Sequence, residues 1–378
     1  METFDGVVIG LGGLGSACLY HLARRGMRVL GIDAHRPPTP LGSSTGRTRI
    51  FRKAYFTSPA YVPLAHRAHA LWEAFEAEHG VALFKRSGAA LLGPTDHPVV
   101  EGVARSAAAH GLPHEALAGE ALAQRLPAVR LEPEDLALVE HEAGIVASDL
   151  SVEAHLAAAC VLGAQVRHET PVRRLVRQGA GVQVETDGGT VAAGAAVVAA
   201  GPWMTEMATT DRGFLGLRLP LQIERQVQLW FRRRQPPPSP LSLPCNFVTR
   251  GEGFSYYVIP EAGALKACRH QGGEPTAWST LDRSVRPDDE ADVRGFLRRR
   301  LPWAEGTLLG GHVCAYVATP DGHFIVGPHP SGGPVVLVGG CAGHAFKFAP
   351  ALGEAAAEWV VDRAPRLDLT LFSPTRFT

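Results

Sequence analysis

The sequence predicts an α/β (α+β) fold in which a Rossmann-like domain carries an inserted, mostly antiparallel lobe. Three observations support this prediction. The chain opens with an apolar run, a glycine-rich turn and a helical pattern, and a second apolar run near its middle ends in glycine. At 378 residues the chain also exceeds the usual size of a single core, which favours two domains.

Composition and charge exclude several classes of protein. Apolar residues make up 46% of the chain and charged residues 20%, as in globular proteins. The 37 basic residues balance 37 acidic ones, and the basic clusters at 232–234 and 298–300 are short, so we expect no nucleic-acid partner. The six cysteines lack CxxC spacing, which argues against a structural zinc site and a disulfide scaffold. With no membrane-length apolar run and no basic amino-terminal region, we expect a cytoplasmic protein.

The first elements form a strand, a glycine turn and a helix. The apolar run Phe4–Ile9 predicts the strand, and small and apolar residues on one face of Leu14–Arg25 predict the helix. Between them lies a GxGxxG pattern, whose glycines allow a tight turn, close approach of a pyrophosphate to backbone N–H groups, and close packing of helix on strand. These glycines are Gly10, Gly12 and Gly15.

A carboxylate completes this motif. The next apolar run, Met27–Ile32, ends at Asp33, where the side chain can accept hydrogen bonds from an adenosine ribose. The combination predicts dinucleotide binding, whereas the glycines alone are also compatible with a structural loop. The motif does not separate NAD from FAD, but its position at the extreme amino terminus of a chain with no second such motif favours FAD.

The remaining elements follow from periodicity. Residues 41–55 and the proline-rich segment Arg234–Pro244 are expected to be loops. Further helices are predicted at Tyr61–His79, Val100–His110, Gly119–Arg125, Ser151–Leu162 and Asp288–Arg300. Strands are predicted at Gly88–Leu92, Gln165–Arg167, Val172–Val176, Val182–Glu185, Val191–Gly201, Gln222–Phe231, Ser255–Ile259, Leu265–Cys268, His312–Val317 and Val335–Gly340.

We expect the two domains to be discontinuous in sequence. Residues 1–80, 145–215 and 310–378 are expected to form the nucleotide-binding domain. Residues 81–144 and 216–309 are expected to form the substrate-binding lobe.

Four sequence blocks stand out along the chain: GSSTGRTRIFRKAY, YYVIPEAGALKACRH, HVCAYVATPDGHFIVG and GGCAGHAFKFAPALGE. In order and spacing they resemble those of the monomeric sarcosine oxidase and N-methyltryptophan oxidase family of FAD-dependent amine oxidases, in the D-amino-acid oxidase superfamily. The resemblance covers nearly the whole chain. It implies a monomeric oxidase of N-methyl or other secondary amino acids, which produces an imine, then an aldehyde and an amine, while O₂ is reduced to hydrogen peroxide. No metal is expected.

Cys314 stands in the third block with no cysteine partner nearby in sequence. Taken alone, a free cysteine in a β-type run is most simply a small buried hydrophobe. In the family, a cysteine in the same C-x-Y context forms a thioether to the 8α-methyl of FAD. The resemblance therefore implies an 8α-S-cysteinyl bond at Cys314, which would fix the ring and raise its reduction potential.

The resemblance also assigns roles to five other residues. Lys266 is implied to lie near flavin N5 and help activate O₂, whereas a solvated lysine on a strand edge is the alternative. Arg52 and Lys347 are implied to bind the substrate carboxylate. Arg49 is implied to lie against the flavin ring, accompanied by Thr48, although residue type alone would make either arginine a surface residue.

Tyr257 and His270 are implied to be substrate-cavity residues, with a packed core or rim position as the alternative. Together with Lys266 and Arg49 they form the expected catalytic group. Gly343 and His344 are expected to open a helix-like segment whose amino terminus points at the flavin's pyrimidine carbonyl. Further FAD contacts are expected at Ser43, Val172, Gly201, Gly340 and Lys347.

The chain departs from the family pattern at Ser44–Arg47, where the family carries His-His-Gly-Asp. The family's histidines lie near the flavin, so the departure concerns flavin tuning and substrate preference. Several alternatives stay open: an oxidase of cyclic imino acids such as pipecolate or proline, a biosynthetic ring oxidase, and a dehydrogenase using another electron acceptor. A flavin-binding subunit without turnover is disfavoured, because Lys266, Arg52 and Lys347 are all present. The sequence does not determine the substrate side chain.

Overall fold

A computed structural model of the chain describes residues 1–209, 216–236, 243–249 and 254–378. The α-helices within these ranges are α1 (Gly13–Arg24), α2 (Tyr61–His79), α3 (Pro98–Ala109), α4 (Gly119–Arg125), α5 (Ser148–Val161), α6 (Met204–Thr209), α7 (Pro287–Arg300) and α8 (Ala349–Val361). The first ten strands are β1 (Glu2–Ile9), β2 (Val29–Ile32), β3 (Thr48–Phe51), β4 (Phe84–Arg86), β5 (Ala89–Pro94), β6 (Glu115–Ala118), β7 (Asp135–Glu140), β8 (Gly144–Ala147), β9 (Gln165–Arg167) and β10 (Val172–Gln178). The others are β11 (Gly181–Thr186), β12 (Gly189–Val198), β13 (Gln222–Phe231), β14 (Cys245–Val248), β15 (Phe254–Glu261), β16 (Ala264–Arg269), β17 (Glu274–Thr276), β18 (Leu308–Ala318), β19 (Ile325–Pro328) and β20 (Val335–Gly339).

An eight-stranded sheet forms the Rossmann-like part of the molecule, with β1 at its centre. Strand β1 pairs in parallel with β2 on one side and with β12 on the other, and β12 continues in parallel to β20. The carboxyl-terminal half of β1 is buried, as expected for a central parallel strand covered on both faces. Helix α1 lies against α5 and α8. The predicted Rossmann-like half of the fold is confirmed.

A nine-stranded sheet forms the second part, in the order β17-β13-β16-β15-β14-β5-β7-β6 with β18 paired to β13. Its pairings are antiparallel except for β14 with β5, so the predicted mostly antiparallel lobe is confirmed. Strand β18, which carries Cys314, pairs with β13 along nearly its whole length. The expected domain boundary at residue 310 therefore falls inside a strand of this sheet.

A small third sheet contains β3, β8 and β4. The loop predicted for residues 41–55 is wrong over Thr48–Phe51, because this segment pairs antiparallel with Gly144–Ala147. A pairing between segments so distant in sequence leaves little local signal. Strand β3 matters for function, since it carries Thr48 and Arg49 and leads directly to Arg52.

Other predictions differ from the structure mainly at element ends. Helices Tyr61–His79 and Gly119–Arg125 have the predicted bounds, while β12 ends at Val198 and leaves Gly201 in a 3₁₀ turn. Of the proline-rich loop, residues 237–242 lie outside the described residues. Across the described ranges, no helix combines the length and apolar character needed to cross a membrane.

Candidate active site

A cavity of about 670 Å³ is lined by residues from both large sheets and from the loop around β3. Its volume is typical of a ligand site. Four predicted site residues, Gly15, Thr48, Lys266 and Cys314, are not part of its lining. Those that line it are Gly10, Gly12, Asp33, Ser43, Arg49, Arg52, Val172, Gly201, Tyr257, His270, Gly340, Gly343, His344 and Lys347.

The glycine turn at one end of the cavity has no room for larger residues. A Cβ on Gly10, whose φ is +87°, would lie 2.6 Å from the Ala199 carbonyl oxygen. A Cβ on Gly15 would lie 1.7 Å from the Gly10 carbonyl oxygen. Strand β1 and helix α1 are therefore joined as closely as a dinucleotide turn requires, with the amino terminus of α1 available to a phosphate.

Asp33 is fixed at the end of β2. Its Oδ2 accepts a hydrogen bond from the Leu11 N–H at 2.7 Å, and its Oδ1 accepts one from the His35 N–H at 2.8 Å. Burial raises the pKa of this carboxyl group, and these two hydrogen bonds oppose the shift. The turn, the helix terminus and the carboxylate fit the pyrophosphate and ribose of a dinucleotide.

Cys314 lies directly behind the cavity wall. It is 2% exposed, and the Gln228 amide, which does line the cavity, donates a hydrogen bond from Nε2 to its Sγ at 3.5 Å. Burial raises the pKa of the thiol, while Arg49, this hydrogen bond and Lys266 lower it. Burial outweighs these three groups, so the pKa of the thiol stays above its usual value while they reduce the cost of forming a thiolate.

Lys266 lies in the interior of the nine-stranded sheet. Strand β16 is paired on both sides, and the lysine is 0% exposed, so the alternative of a solvated lysine on a strand edge is wrong. Its Nζ donates hydrogen bonds to the Gly46 carbonyl at 2.7 Å and the Thr48 carbonyl at 3.1 Å. Burial, together with the charge of Arg49, lowers the pKa of Lys266 to about 8. The ammonium group is therefore mostly charged at neutral pH.

Arg49 is held in place by backbone carbonyls of its own loop. Its Nη2 donates to the Ser43 carbonyl at 3.0 Å and the Thr45 carbonyl at 2.6 Å, and its guanidinium carbon lies 5.8 Å from the Phe346 ring centroid. Thr48 points elsewhere, because its hydroxyl donates to Glu261 at 2.6 Å. A solvated surface residue is therefore a wrong description of Arg49.

Lys347 belongs to a chain of hydrogen bonds that runs through Tyr55 and His344 to the Gly322 carbonyl. Because that carbonyl can only accept, it determines which group donates at each step. His344 Nε2 lies 3.2 Å from the Gly322 carbonyl, which can only accept, so this nitrogen carries the proton. His344 Nδ1 must then accept from the Tyr55 hydroxyl at 3.1 Å. The Tyr55 oxygen in turn accepts from Lys347 Nζ at 2.9 Å, and Nζ also donates to the His344 carbonyl at 3.1 Å.

Arg52 and Lys347 place two basic side chains in one wall of the cavity. Burial, followed by the charges of Arg52 and Arg49, holds the pKa of Lys347 well below its usual value. Burial also lowers the pKa of Arg52. The nearby carboxylate is Glu140, whose oxygens already accept hydrogen bonds from the Lys53 and Ala54 backbone N–H groups. A bound carboxylate would raise both pKa values again and so favour the charged forms of Arg52 and Lys347.

The residues beside this pair are uncharged. His270 Nδ1 lies 3.0 Å from the Tyr316 hydroxyl, and the His270 and Tyr257 ring centroids are 6.1 Å apart. Burial, with Arg52 and Lys347, lowers the pKa of His270 to about 3. Burial raises the pKa of Tyr257 well above its usual value. At neutral pH this part of the wall is a neutral imidazole and neutral phenols.

Several cavity residues were missed by sequence reasoning. Tyr316 lines the cavity and follows Cys314 by two residues, so it could have been found by reading the third block completely. Tyr55 ends the first block and lies outside the lining, where its hydroxyl contacts Lys347 and His344. Ser44, whose hydroxyl accepts from the Gly13 N–H at 2.8 Å, lies in the segment that departs from the family pattern. Gln228 and Asn246 are polar residues within strands and had no local signal.

A family model described as FAD dependent oxidoreductase matches residues 5–359. The chain belongs to this family. The predictions of FAD as cofactor and of a flavin-dependent oxidoreductase are confirmed. Within the described residues no group of three or more histidine, cysteine or acidic side chains could hold a metal ion.

Relatives of this FAD-dependent oxidoreductase confirm the resemblance seen in the four blocks. The chain is 37% identical to the monomeric sarcosine oxidase of Streptomyces avermitilis over 382 residues, covering 99% of this chain and 98% of the relative. It is 35% identical to the N-methyl-L-tryptophan oxidase of Salmonella arizonae over 379 residues, covering 99% of each.

Solved structures share the fold. NikD, described as an unusual amino acid oxidase essential for nikkomycin biosynthesis, has a TM-score of 0.86 at 24% identity and covers 99% of this chain and 98% of its own. L-proline dehydrogenase from P. horikoshii also has a TM-score of 0.86, at 21% identity, and covers 100% of this chain and 98% of its own. At these identities the likeness concerns the fold alone.

Proposed function

We propose that this FAD-dependent oxidoreductase oxidises N-methyl or other secondary amino acids and transfers the electrons to O₂. The products are hydrogen peroxide and an imine, which water hydrolyses to an aldehyde and an amine. The observation that carries the proposal is the pair of basic groups Arg52 and Lys347 in the cavity wall, beside neutral His270 and Tyr257. Paired with both cations, an amino-acid carboxylate would not be buried as a lone charge. Cyclic imino acids carry the same carboxylate and stay within the proposed substrate class.

FAD, when bound, supplies the acceptor for the hydride equivalent from the substrate carbon and the electrons for O₂. Its nucleotide half would be held by the glycine turn at Gly10 and Gly12 and by Asp33. Its ring would lie near Arg49. Further contacts would come from Ser43, Val172, Gly201, Gly340, Gly343 and His344, all of which line the cavity.

The protein favours the reactive form of the substrate amine. An amine can lose a hydride equivalent from its adjacent carbon only when its nitrogen lone pair is free of a proton. The positive charges of Arg52 and Lys347 disfavour an ammonium ion nearby. His270 is neutral, so it adds no further charge and would help to shape the cavity through its contact with Tyr316.

Cys314 is proposed to hold FAD through an 8α-S-cysteinyl bond. The net reaction replaces one methyl C–H and the thiol S–H by a C–S bond, while O₂ takes up the two electrons and two protons as hydrogen peroxide. The proposal is supported by the Gln228 hydrogen bond to the sulfur and by the nearby cations Arg49 and Lys266. Acid precipitation tests it: yellow colour should stay with the protein pellet, and in Cys314→Ser it should stay in the supernatant.

Lys266 is proposed to be the cation that favours reduction of O₂. Its charge is fixed by two carbonyl groups, so little reorganisation is needed as negative charge develops on oxygen. We also propose that the protein acts as a monomer in the cytoplasm. Size-exclusion chromatography with light scattering tests the monomer, because a dimer would have twice the mass of the 40.2 kDa chain.

A panel of amines with a peroxide readout tests the proposed function. Purified holoenzyme is given sarcosine, N-methyl-L-tryptophan, L-pipecolate, L-proline and the methyl ester of whichever compound reacts best. At least one secondary amino acid should produce peroxide, and its methyl ester should react poorly. Arg52→Met and Lys347→Met should each lower kcat/KM at least about 100-fold. The exposed lysine variant Lys85→Met is the matched control.

Two outcomes contradict the proposal. If secondary amino acids reduce a dye rapidly but form peroxide slowly, the protein is a dehydrogenase. If neither dye nor O₂ is reduced with any of these compounds, the assignment of substrate class is wrong.

A further inference from the structure

Asn246 occupies a position in the cavity that the proposed mechanism does not use. It lies on β14 directly opposite Tyr257 of β15 in the antiparallel register, so both side chains point to the same face of the sheet. That face lines the cavity. The adjacent residues, Cys245 and Phe247, point to the other face and are packed in the core of the lobe. The strand therefore directs one polar side chain towards the substrate cavity.

The Asn246 side chain is buried and incompletely hydrogen-bonded. It is 5% exposed, and its Nδ2 has no hydrogen-bond partner in the part of the chain that the structure describes. An amide left unpaired in a buried site disfavours that state by roughly 10- to 100-fold in an equilibrium constant. A leucine would fill a similar volume without this cost. A bound ligand with a hydrogen-bond acceptor would satisfy the amide.

A small recess beside Asn246 indicates where such an acceptor would lie. The recess has a volume of about 20 Å³, and Asn246 and Arg52 line both it and the main cavity. This space is enough for one water molecule or one small substituent. Arg52 has only donors, which favours an acceptor at this position. The other polar lining groups are His114, whose Nδ1 contacts the Leu112 carbonyl at 2.9 Å, and Glu140, which is already hydrogen-bonded to backbone N–H groups.

We propose that Asn246 is a specificity-determining residue that donates a hydrogen bond to an oxygen on the substrate side chain. The inference rests on the proposed function, since Arg52 and Lys347 must hold the carboxylate for the side chain to reach Asn246. The preferred substrates are secondary amino acids with a compact oxygen acceptor, a hydroxyl or an amide, close to the α-carbon. Purely aliphatic side chains of the same size leave the amide unpaired and bind less well.

Substrate pairs of matched size test this inference. One pair is N-methyl-L-serine with N-methyl-L-2-aminobutyrate, and the other is N-methyl-L-asparagine with N-methyl-L-leucine. In the holoenzyme, kcat/KM should favour the oxygen-bearing member of a pair by about 10-fold or more. Asn246→Leu should abolish the preference, mainly by lowering kcat/KM for that member. The exposed amide variant Gln178→Leu is the matched control and should keep it.

A binding measurement separates this inference from the proposed function. The ligands 3-hydroxypropanoate and butanoate have the carboxylate and the side-chain pair but no amine, and their binding is followed by the visible absorbance of oxidised FAD. The hydroxyl compound should bind more tightly to the holoenzyme, and Asn246→Leu should remove the difference. If this holds while no secondary amino acid is oxidised, the proposed function fails and the role of Asn246 stands.

The inference is overturned if the holoenzyme shows no preference within either substrate pair, or if Asn246→Leu retains it. It is also overturned if Asn246→Leu lowers kcat/KM equally for both members of a pair. The amide would then help to bind the substrate carboxylate or to stabilise the fold, and would not recognise the side chain. If Asn246→Leu does not retain FAD, Asn246→Asp decides the matter. An ionised aspartate has a similar size but only accepts hydrogen bonds, so a substrate oxygen that also only accepts should be disfavoured. The holoenzyme should therefore prefer N-methyl-O-methyl-L-serine to N-methyl-L-norvaline, and Asn246→Asp should reverse this preference.

Discussion

Lys266 and Cys314 are both buried outside the lining of the cavity, and hydrogen bonds fix the position of each. Lys266 donates to carbonyls of the β3 loop, which also holds Arg49, and Cys314 accepts from Gln228. Burial acts differently on the two groups, since it lowers the pKa of the ammonium group and raises that of the thiol. The charge of Arg49 lowers both pKa values, so it favours the thiolate form of Cys314 and disfavours the ammonium form of Lys266.

The Lys266 charge predicts a pH dependence for the reaction of reduced enzyme with O₂. Because burial lowers its pKa to about 8, the cation is present below this pH and is lost as pH rises through it. The O₂ rate constant should fall above about pH 8. Lys266→Met should be slow at every pH, by roughly 100- to 1000-fold. Stopped-flow mixing of reduced enzyme with O₂ from pH 6 to 10 measures this, with Lys85→Met as control. A rate in Lys266→Met equal to that of the native enzyme would contradict the assigned role.

We expect the hydrogen bond from Gln228 to Cys314 to affect the rate at which FAD becomes covalently bound. Gln228 Nε2 donates to the Cys314 sulfur, and losing this hydrogen bond removes one group that stabilises the thiolate. Reconstitution of Gln228→Leu with FAD should give acid-stable colour at least about 10-fold more slowly. Cys314→Ser should give none. An unchanged rate in Gln228→Leu would show that the hydrogen bond has no part in attachment.

Among the elements, the glycine turn between β1 and α1 leaves very little room for a larger side chain. Sequence reasoning predicted it because each glycine has a local reason in backbone geometry. It missed β3 because the short segment Thr48–Phe51 becomes a strand only through pairing with Gly144–Ala147. It also missed Asn246, because a polar residue in a strand gives no sign of the cavity that the fold places beside it.

The substitution Gly15→Ala tests the importance of this close packing between β1 and α1. The added Cβ would lie 1.7 Å from the Gly10 oxygen, so the strand, the turn or the helix must move. We expect lower FAD content and a loss of stability of at least about 1–3 kcal/mol. Gly295→Ala in α7 is the matched control, because its Cβ meets nothing within 4 Å. That substitution should stabilise by about 0.5–1 kcal/mol. Thermal unfolding and FAD quantification measure both effects. A Gly15→Ala protein with native FAD content and native stability would show that the turn does not require glycine at this position.

At the scale of the whole molecule, the buried neutral histidines lead us to expect that the free energy of unfolding decreases in acid. Burial first lowers the pKa of His155 to about 3, and it lowers that of His21 well below its usual value. Both lie among the buried residues of α1 and α5. In the unfolded chain these two histidines bind protons below about pH 6.5, whereas in the folded chain they stay neutral to a lower pH.

Each such histidine contributes stability that is present above about pH 6.5 and lost as pH falls towards the folded pKa, by at most about 1.4 kcal/mol per pH unit. Urea unfolding between pH 7.5 and 5 should therefore show decreasing stability. His155→Phe, which suits a position beside Phe75 and Trp72, should make the dependence shallower by up to one proton. An identical slope in this variant would exclude His155 as a source.

Much of the whole-molecule architecture could be predicted from the sequence. The strand–turn–helix motif and the four blocks indicated the Rossmann-like part, the antiparallel lobe and most cavity residues. The positions of Lys266 and Cys314 behind the wall could not be predicted, because they depend on how β13, β16 and β18 pair within one sheet. Pairing between strands that are distant in sequence determines whether a residue lines the cavity or lies behind its lining.

Anaerobic reduction followed by reoxidation tests the central claim most directly. Holoenzyme is titrated without O₂ with the secondary amino acid that performs best in the amine panel, and the reduced enzyme is then mixed with O₂. We predict that one equivalent of amino acid reduces one FAD, and that O₂ restores the oxidised spectrum with one equivalent of hydrogen peroxide. An FAD that stays oxidised with every secondary amino acid, or a reduced FAD that O₂ does not reoxidise, would contradict the account.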